Sequence, residues 1–249
     1  MSIVSKNSPS LTLQFLLELQ GQDPGPLDGV IGPKTIAALQ AFQTGHLLPP
    51  CQPAAALDDP HTGPALHNLP TNPGARAILS GMTFLGTTES PPNSNKTQFG
   101  EWFEDNGVPW CAIFVSYCFV TSCGITLCSG FEGKGVKAGK GCAYVPTIQN
   151  WLIANHLTVD RMTIQPGDIL IYTWDGKTPQ HIGLSCGTPD IHGPDPTGGV
   201  QSLEGNTSPS SDSDGGEVLL RTRYLRNILT IGRIPPPPIP LVFTYIFDG

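Results

Sequence analysis

The sequence predicts an α+β fold in which helices come first and an antiparallel sheet follows. Apolar residues recur three and four apart in several segments before residue 155, the spacing of one helical face. From residue 168 the pattern changes to short runs rich in β-branched and aromatic residues, separated by turn residues. Helical and strand-like segments are thus segregated along the chain, whereas a parallel sheet would alternate them. The 29 glycines and 26 prolines among 249 residues imply many turns and long loops, and the length leaves room for one large domain or two unequal ones.

Taken in order, residues 11–19 carry leucines at 11, 13, 16, 17 and 19 with Phe15, a first short helix. Pro24 to Gly29 form a turn, and Gly32-Pro33 supplies a cap with proline at the first helical position. Ile36, Leu39 and Phe42 then recur on one face of a second helix. A third helix follows at Thr62 to Leu69, completing a small three-helix bundle over residues 1–70. Within it, LDGVIGPKTIAALQAFQ is similar to the central signature of the peptidoglycan-binding domain family. Asp28, Gly29, Gly32, Thr35, Ala38, Leu39, Phe42 and Gln43 hold the matching positions. That resemblance spans about residues 11 to 69 and implies a module of the kind attached to cell-wall hydrolases.

A linker is expected at 71–76, marked by Pro70 and Pro73, followed by a helix near Ala75 to Leu85 and a polar loop from Ser90 to Asn95. The next segment is GVPWCAIFVSYCFVTSCG, residues 107–124. It reads as a buried helix, since almost every side chain from Ala112 to Val120 is apolar, with Pro109 at its start. Ser129 to Gly141 is a glycine-rich loop with Lys134, Lys137 and Lys140; without GxGxxG spacing or a preceding strand it is not a phosphate site. Pro146 to Asn155 forms a helix with Ile148, Trp151 and Leu152 inward. Strands are expected at Asp168 to Trp174, His181 to Gly187, Gly199 to Thr207, Glu217 to Tyr224 and Leu229 to Ile234. The body at 77–234 ends in a proline-rich arm, 235–249, packed on the body or on a partner.

Only 13% of residues are charged and the formal net charge is -7, which argues against nucleic acid and removes any general attraction to anionic membranes or walls. No segment approaches a membrane span, and the N-terminal apolar run, broken by Gln14 and Glu18, is too short for a signal peptide. Seven cysteines leave at least one unpaired, with no CxxC pair and no zinc spacing. For Cys123, Cys128 and Cys142 the spacing is compatible with one disulfide after export and with three reduced thiols.

Cys111 is the residue to explain. In the first turn of a helix a thiol lies at the positive end of the macrodipole, which favours the thiolate, the attacking species in cysteine catalysis. Taken alone it reads first as a small core side chain, because free cysteine is among the most buried residue types. A cysteine nucleophile needs a base, and the base needs a group that orients it. His46, His61 and His67 belong to the first domain, His156 ends a helix and His192 lies in a loop, whereas His181 opens a strand. Alternation places His181, Gly183 and Ser185 on one face, small and polar, which suits a cleft. In the following strand Glu204 and Asn206 share a face, and either can accept from the imidazole. Trp102 and Trp110 near the cysteine are expected to line a cleft for a sugar or peptide.

The succession PWCAIFVSYC, PGDILIY, HIGLSCG and SLEGNTS resembles the CHAP family of cysteine peptidoglycan hydrolases, over about residues 95 to 234. The resemblance implies a papain-like domain with N-terminal helices and an antiparallel sheet. It makes Cys111 the nucleophile, His181 the base, and Glu204 with Asn206 the residues that orient it. The backbone N–H of Cys111 would bind the oxyanion together with a second donor, Asn106 or, in reserve, Gln98. Cys118, two turns deeper on the same helical face, should be inert. No metal or cofactor is called for. The partner is peptidoglycan, the state a monomer, and the context a phage endolysin or an injected antibacterial effector acting in the periplasm or at the wall, the latter with an immunity protein over the Cys111 cleft. Competing readings are a wall-binding protein with a dead catalytic domain and a zinc-dependent wall amidase; the scattered histidines lack an HExxH and disfavour the second.

Overall fold

The computed structural model describes residues 3–4, 6–68, 72–191, 195–210 and 214–236. His192 lies outside these residues, as do part of the expected linker and nearly all of the proline-rich arm. A two-residue strand β1 (Ile3–Val4) precedes α1 (Pro9–Leu19), whose first turn is capped by the Ser8 hydroxyl accepting from the Leu11 N–H. Next come α2 (Pro33–Gly45) and α3 (Thr62–His67). Leu13, Leu16 and Leu17 of α1 pack with Ala38, Leu39 and Phe42 of α2 and Leu66 of α3. Ile36, expected inward, is 40% exposed. The buried stripe of α2 runs Thr35, Ala38, Leu39, Phe42, the i, i+3, i+4, i+7 set, and Ile36 falls one residue off it.

The Asp-Gly turn before α2 is wired from α1. The Gln14 amide donates to Asp28 Oδ1, the Val30 carbonyl and Thr35 Oγ1, while its oxygen accepts from the Gly29 N–H. A left-handed φ of 77° explains the glycine at 29. Helix α1 also belongs to a second core: Leu11 and Phe15, with Leu27, join the main cluster of the body. Gln201 of the sheet exchanges hydrogen bonds with both the N–H and the carbonyl of Leu27.

Helix α4 spans Pro73–Met82, so residues 73–76 of the expected linker are its first turn, capped by Asn72. Helix α5 (Gln98–Phe103) fills a stretch without a sequence assignment. Helix α6 (Cys111–Cys123) begins two residues later than Pro109, with Trp110 as the N-cap residue. Its Ile113, Phe114, Val115 and Phe119 have no exposed surface, a burial that contributes roughly 6–12 kcal/mol before entropy is counted. The glycine-lysine loop contains a short hairpin, β2 (Val136–Lys137) with β3 (Gly141–Cys142), and α7 (Val145–Ala154) follows.

Five further strands follow among the described residues: β4 (Ile169–Tyr172), β5 (His181–Ser185), β6 (Gly199–Thr207), β7 (Glu217–Tyr224) and β8 (Ile228–Gly232). With β1 they form one antiparallel sheet in the order β1-β7-β6-β5-β4-β8, so the protein is α+β as expected. One face, through Ile169, Ile171, Ile182, Leu184, Leu203, Val218 and Leu220, packs against the layer of α4 to α7. Leu170, Tyr172, Val200, Leu225, Ile228 and Ile231 make a smaller cluster on the other. Among the described residues no helix is long and apolar enough to cross a membrane.

Candidate functional site

Cys111 opens α6, whose first six residues are all buried, and is 5% exposed. No side chain caps this helix, which leaves first-turn N–H groups, including that of Cys111, available to an anionic oxygen. The thiol lies within hydrogen-bonding reach of His181, the first residue of β5. His181 Nε2 is 3.1 Å from Glu204 Oε2. That leaves Nδ1 for the thiol, and no closed hydrogen bond engages it, a common state for such pairs before substrate arrives. His181 and Glu204 are both fully buried.

Glu204 is held in turn by Arg223 of β7, whose Nε donates to Oε1 at 2.7 Å while a terminal nitrogen donates to Oε2. This two-point guanidinium clamp was not anticipated. Its sequence signal is a pair of arginines two positions apart, Arg221 and Arg223, in the strand beside that of Glu204. Tyr172, paired with His181 across β4 and β5, stacks on the imidazole at 6.0 Å, and the Arg223 guanidinium lies 5.5 Å from the same phenol ring. The ring therefore has a fixed position and a fixed tautomer partner.

The small face of β5 has a different purpose from the one expected. A methyl on Gly183 would lie 2.4 Å from Ser202 Oγ and 2.7 Å from Glu204 Cγ, so the absent side chain makes room for Glu204, not for a cleft. Gly183→Ala should therefore overpack the site and cost roughly 1–3 kcal/mol. An unchanged urea midpoint in that variant would contradict this packing.

Asn206 departs from its expected role. Its backbone has φ 55°, the left-handed region, and the β6–β7 register shifts between Glu204 and Thr207. The strand alternation that would set Asn206 beside Glu204 is broken there. The Asn206 amide donates to Asn95 Oδ1 at 3.3 Å and its oxygen accepts from the Gly216 N–H. Asn95 in turn donates its N–H to Glu89, and Glu89 accepts from Trp110 Nε1 at 3.0 Å. Asn206 is thus the far end of a chain that anchors the residue preceding Cys111.

Trp110 itself is fully buried and stacked on Phe99, so it is core and does not line a cleft. Trp102 is half-buried, with its edge on Tyr117 and the Lys140 ammonium 4.8 Å from its ring centre. Asn106 and Gln98 are exposed and share a shallow cavity of about 270 Å³ with Thr87, Thr88, Lys96 and Glu101, in which Cys111 takes no part. Asn106 also spends its Oδ1 on the Thr97 N–H. The Cys118 thiol is fully buried and pushed up by that burial, which keeps it protonated. Among the described residues no group of three histidine, cysteine or acidic side chains is arranged to hold a metal.

The electrostatics make the pair pH-sensitive in a defined direction. Burial pulls the imidazole of His181 down, but Cys111 and Glu204 beside it outweigh burial and hold it up at about 9, above the usual 6.5. Burial would raise Glu204, yet the charge and hydrogen bonds of Arg223, with His181, hold it down at about 2, below the usual 4.5. The His181 contribution to stability is therefore complete below pH 6.5 and lost as pH rises through about 9. The Glu204 contribution is complete above pH 4.5 and lost as pH falls through about 2. Both operate together between pH 4.5 and 6.5, and urea unfolding across pH should show stability declining from 6.5 towards about 9. A decline that is the same in His181→Gln would remove His181 as its source.

No family model, no curated protein and no solved structure matches the chain.

Proposed function

We propose that this protein is a cysteine amidase or endopeptidase that cuts the peptide part of peptidoglycan. In this reading α1 to α3 form a three-helix wall-binding module and the remainder a papain-like catalytic domain. The observation that carries it is the alignment of four groups: Cys111 at an uncapped helix start, His181 within reach, Glu204 on the other imidazole nitrogen, and Arg223 behind Glu204. Support for the wall as substrate comes from the signature around Asp28 to Gln43, in which Asp28 and Thr35 accept from Gln14, Thr35 donates to the Pro24 carbonyl and Gln43 donates to Thr62.

The chemistry would run as acyl transfer. The Cys111 thiolate attacks the amide carbonyl and a C–S bond forms, while the Cys111 N–H stabilises the oxyanion. As the C–N bond breaks, the His181 imidazolium gives its proton to the leaving amine. Water then attacks the thioester as the His181 imidazole takes its proton; the C–S bond breaks, the carboxylic acid leaves, and the thiolate–imidazolium pair is restored. Glu204, held by Arg223, keeps the ring oriented and favours its charged form throughout. Release at the wall by phage lysis or by injection follows from the same reading, as does an immunity protein over Cys111 in the second case.

Purified sacculi provide the test. Clearing that is lost in iodoacetamide and retained in EDTA supports the cysteine mechanism; the reverse pattern points to a zinc hydrolase, and no clearing at all to a binding protein. Mass spectrometry of the released fragments then names the amide that is cut.

A further inference from the structure

Helix α6 starts without a side-chain cap, so the direction in which it presents Cys111 is set from outside the helix. The residue at its start, Trp110, accepts the Phe114 N–H on its carbonyl at 2.8 Å and sends a fully buried indole into the body. That ring stacks on Phe99 with centroids 5.5 Å apart. The β6 backbone rests against it at Gly205, where a methyl would lie 2.7 Å from Trp110 Cζ3 and as close to Phe114 Cβ. Gly205 directly follows Glu204. The indole is therefore the spacer between the helix that carries Cys111 and the strand that carries the group orienting His181. Apolar packing has no preferred direction, so stacking alone does not fix the ring within its plane; a hydrogen bond does.

That hydrogen bond is made to Glu89. The indole Nε1–H donates to Glu89 Oε1 at 3.0 Å and the Asn95 N–H donates to Oε2 at 3.0 Å, so both oxygens of the carboxyl group act as acceptors. Glu89 is 6% exposed, and among the described residues no cationic side chain forms an ion pair with it. Its own backbone is fastened to the sheet. The Glu89 N–H donates to the Gly216 carbonyl, Thr88 bridges to Glu217, and the Thr87 carbonyl accepts from the Val218 N–H at the start of β7. Gly216, at φ 76°, leaves room for the carboxyl group, since a methyl there would lie 3.0 Å from the carboxyl carbon. Burying an acid without a cation is costly, and a phenylalanine at 110 would occupy the same layer without one. What the Glu89–Trp110 pair adds to that packing is a fixed direction.

We propose that Glu89 is a positioning residue for the nucleophile: through the Trp110 indole it fixes the first turn of α6 against β6 and so sets the separation of Cys111 from His181. The inference rests on the catalytic reading above and supplies the group that keeps its two central residues in register. Cys111 and His181 are the first residues of α6 and β5, so a small rotation of either element moves them apart. The imidazole is tethered by Glu204 and Arg223; the tether on the thiol's side is Glu89. A displacement of about 1 Å at reacting atoms costs on the order of 100-fold in rate.

Two variants cut the tether in different ways. Trp110→Phe keeps a ring beside Phe99 and Gly205 but removes the N–H, whereas Glu89→Gln sets an NH2 group opposite one of two N–H donors. In each, the pH profile of Cys111 alkylation by iodoacetamide, read on the Cys111 peptide by mass spectrometry, should move to that of His181→Gln, the behaviour of this thiol without its imidazole. The kcat for clearing sacculi should fall roughly 10–100-fold with KM unchanged. Leu152→Ala, a truncation where α7 packs on Gly232 of β8, should lower the melting temperature and leave the profile in place. Movement of the profile in Leu152→Ala as well would reduce the Glu89 bond to general packing and overturn the proposal. Replacing Trp110 by its benzothiophene analogue, which keeps the ring's shape and lacks only the N–H, decides the matter where either variant fails to fold. A folded Trp110 or Glu89 variant with the wild-type profile overturns the role of Glu89 and leaves the catalytic reading standing. A wild-type profile that already matches His181→Gln removes the cysteine–histidine pair itself, and both readings fall together.

Discussion

Cys111→Ala is expected to abolish clearing of purified sacculi, by at least about 1000-fold, while unfolding within a few degrees of the wild type. Its side chain is small, so truncation removes one sulfur and leaves the packing of α6, carried by Ile113 to Phe119, untouched. His181→Ala should lose as much, because a thiol without its base and acid neither attacks nor releases the amine. The double variant should be no worse than either single one, the mark of residues that act as a unit. Wild-type clearing by Cys111→Ala would end the cysteine mechanism. Equal loss accompanied by unfolding would instead assign Cys111 to the core, which is why melting curves accompany the assay.

The second large effect concerns a residue that touches no substrate in the proposed reading. Arg223→Ala strands the fully buried Glu204 carboxylate without its cation, and breaking a buried pair from one side costs about 3–5 kcal/mol. For a chain of this length that lowers the melting temperature by roughly 6–20 °C. The same change removes the principal group that holds Glu204 down, so Glu204 should titrate at higher pH and its support for the His181 imidazolium should weaken. The alkaline limb of clearing should then move towards neutral pH, a shift that a purely structural arginine would not produce. Arg223→Met combined with Glu204→Gln should regain much of the stability, since the uncompensated charge is gone, without regaining activity. An unchanged pH profile in a folded Arg223→Ala protein would reduce Arg223 to packing.

Several elements were legible along the chain. The bounds of β6 and β7 match the expected strands, Gly199 to Thr207 and Glu217 to Tyr224, because β-branched runs closed by turn residues are local signals. Cys111 at a helix start and His181 at a strand start were readable for the same reason. Side-chain partners were less so. Asn206 looked equivalent to Glu204 by alternation, and only the register shift and its left-handed backbone separate them. Trp110 looked like a cleft residue until its indole N–H found Glu89, 21 positions earlier.

The sequence by itself therefore determined the kinds of element, their order and the two residues whose chemistry demands each other, because periodicity and helix or strand starts are written in adjacent positions. Tertiary structure decided who holds whom. Arg223 reaches Glu204 from 19 positions away, and Glu204 reaches His181 from 23. Strand register and helix docking set those meetings, and neither is encoded in the spacing of neighbouring residues.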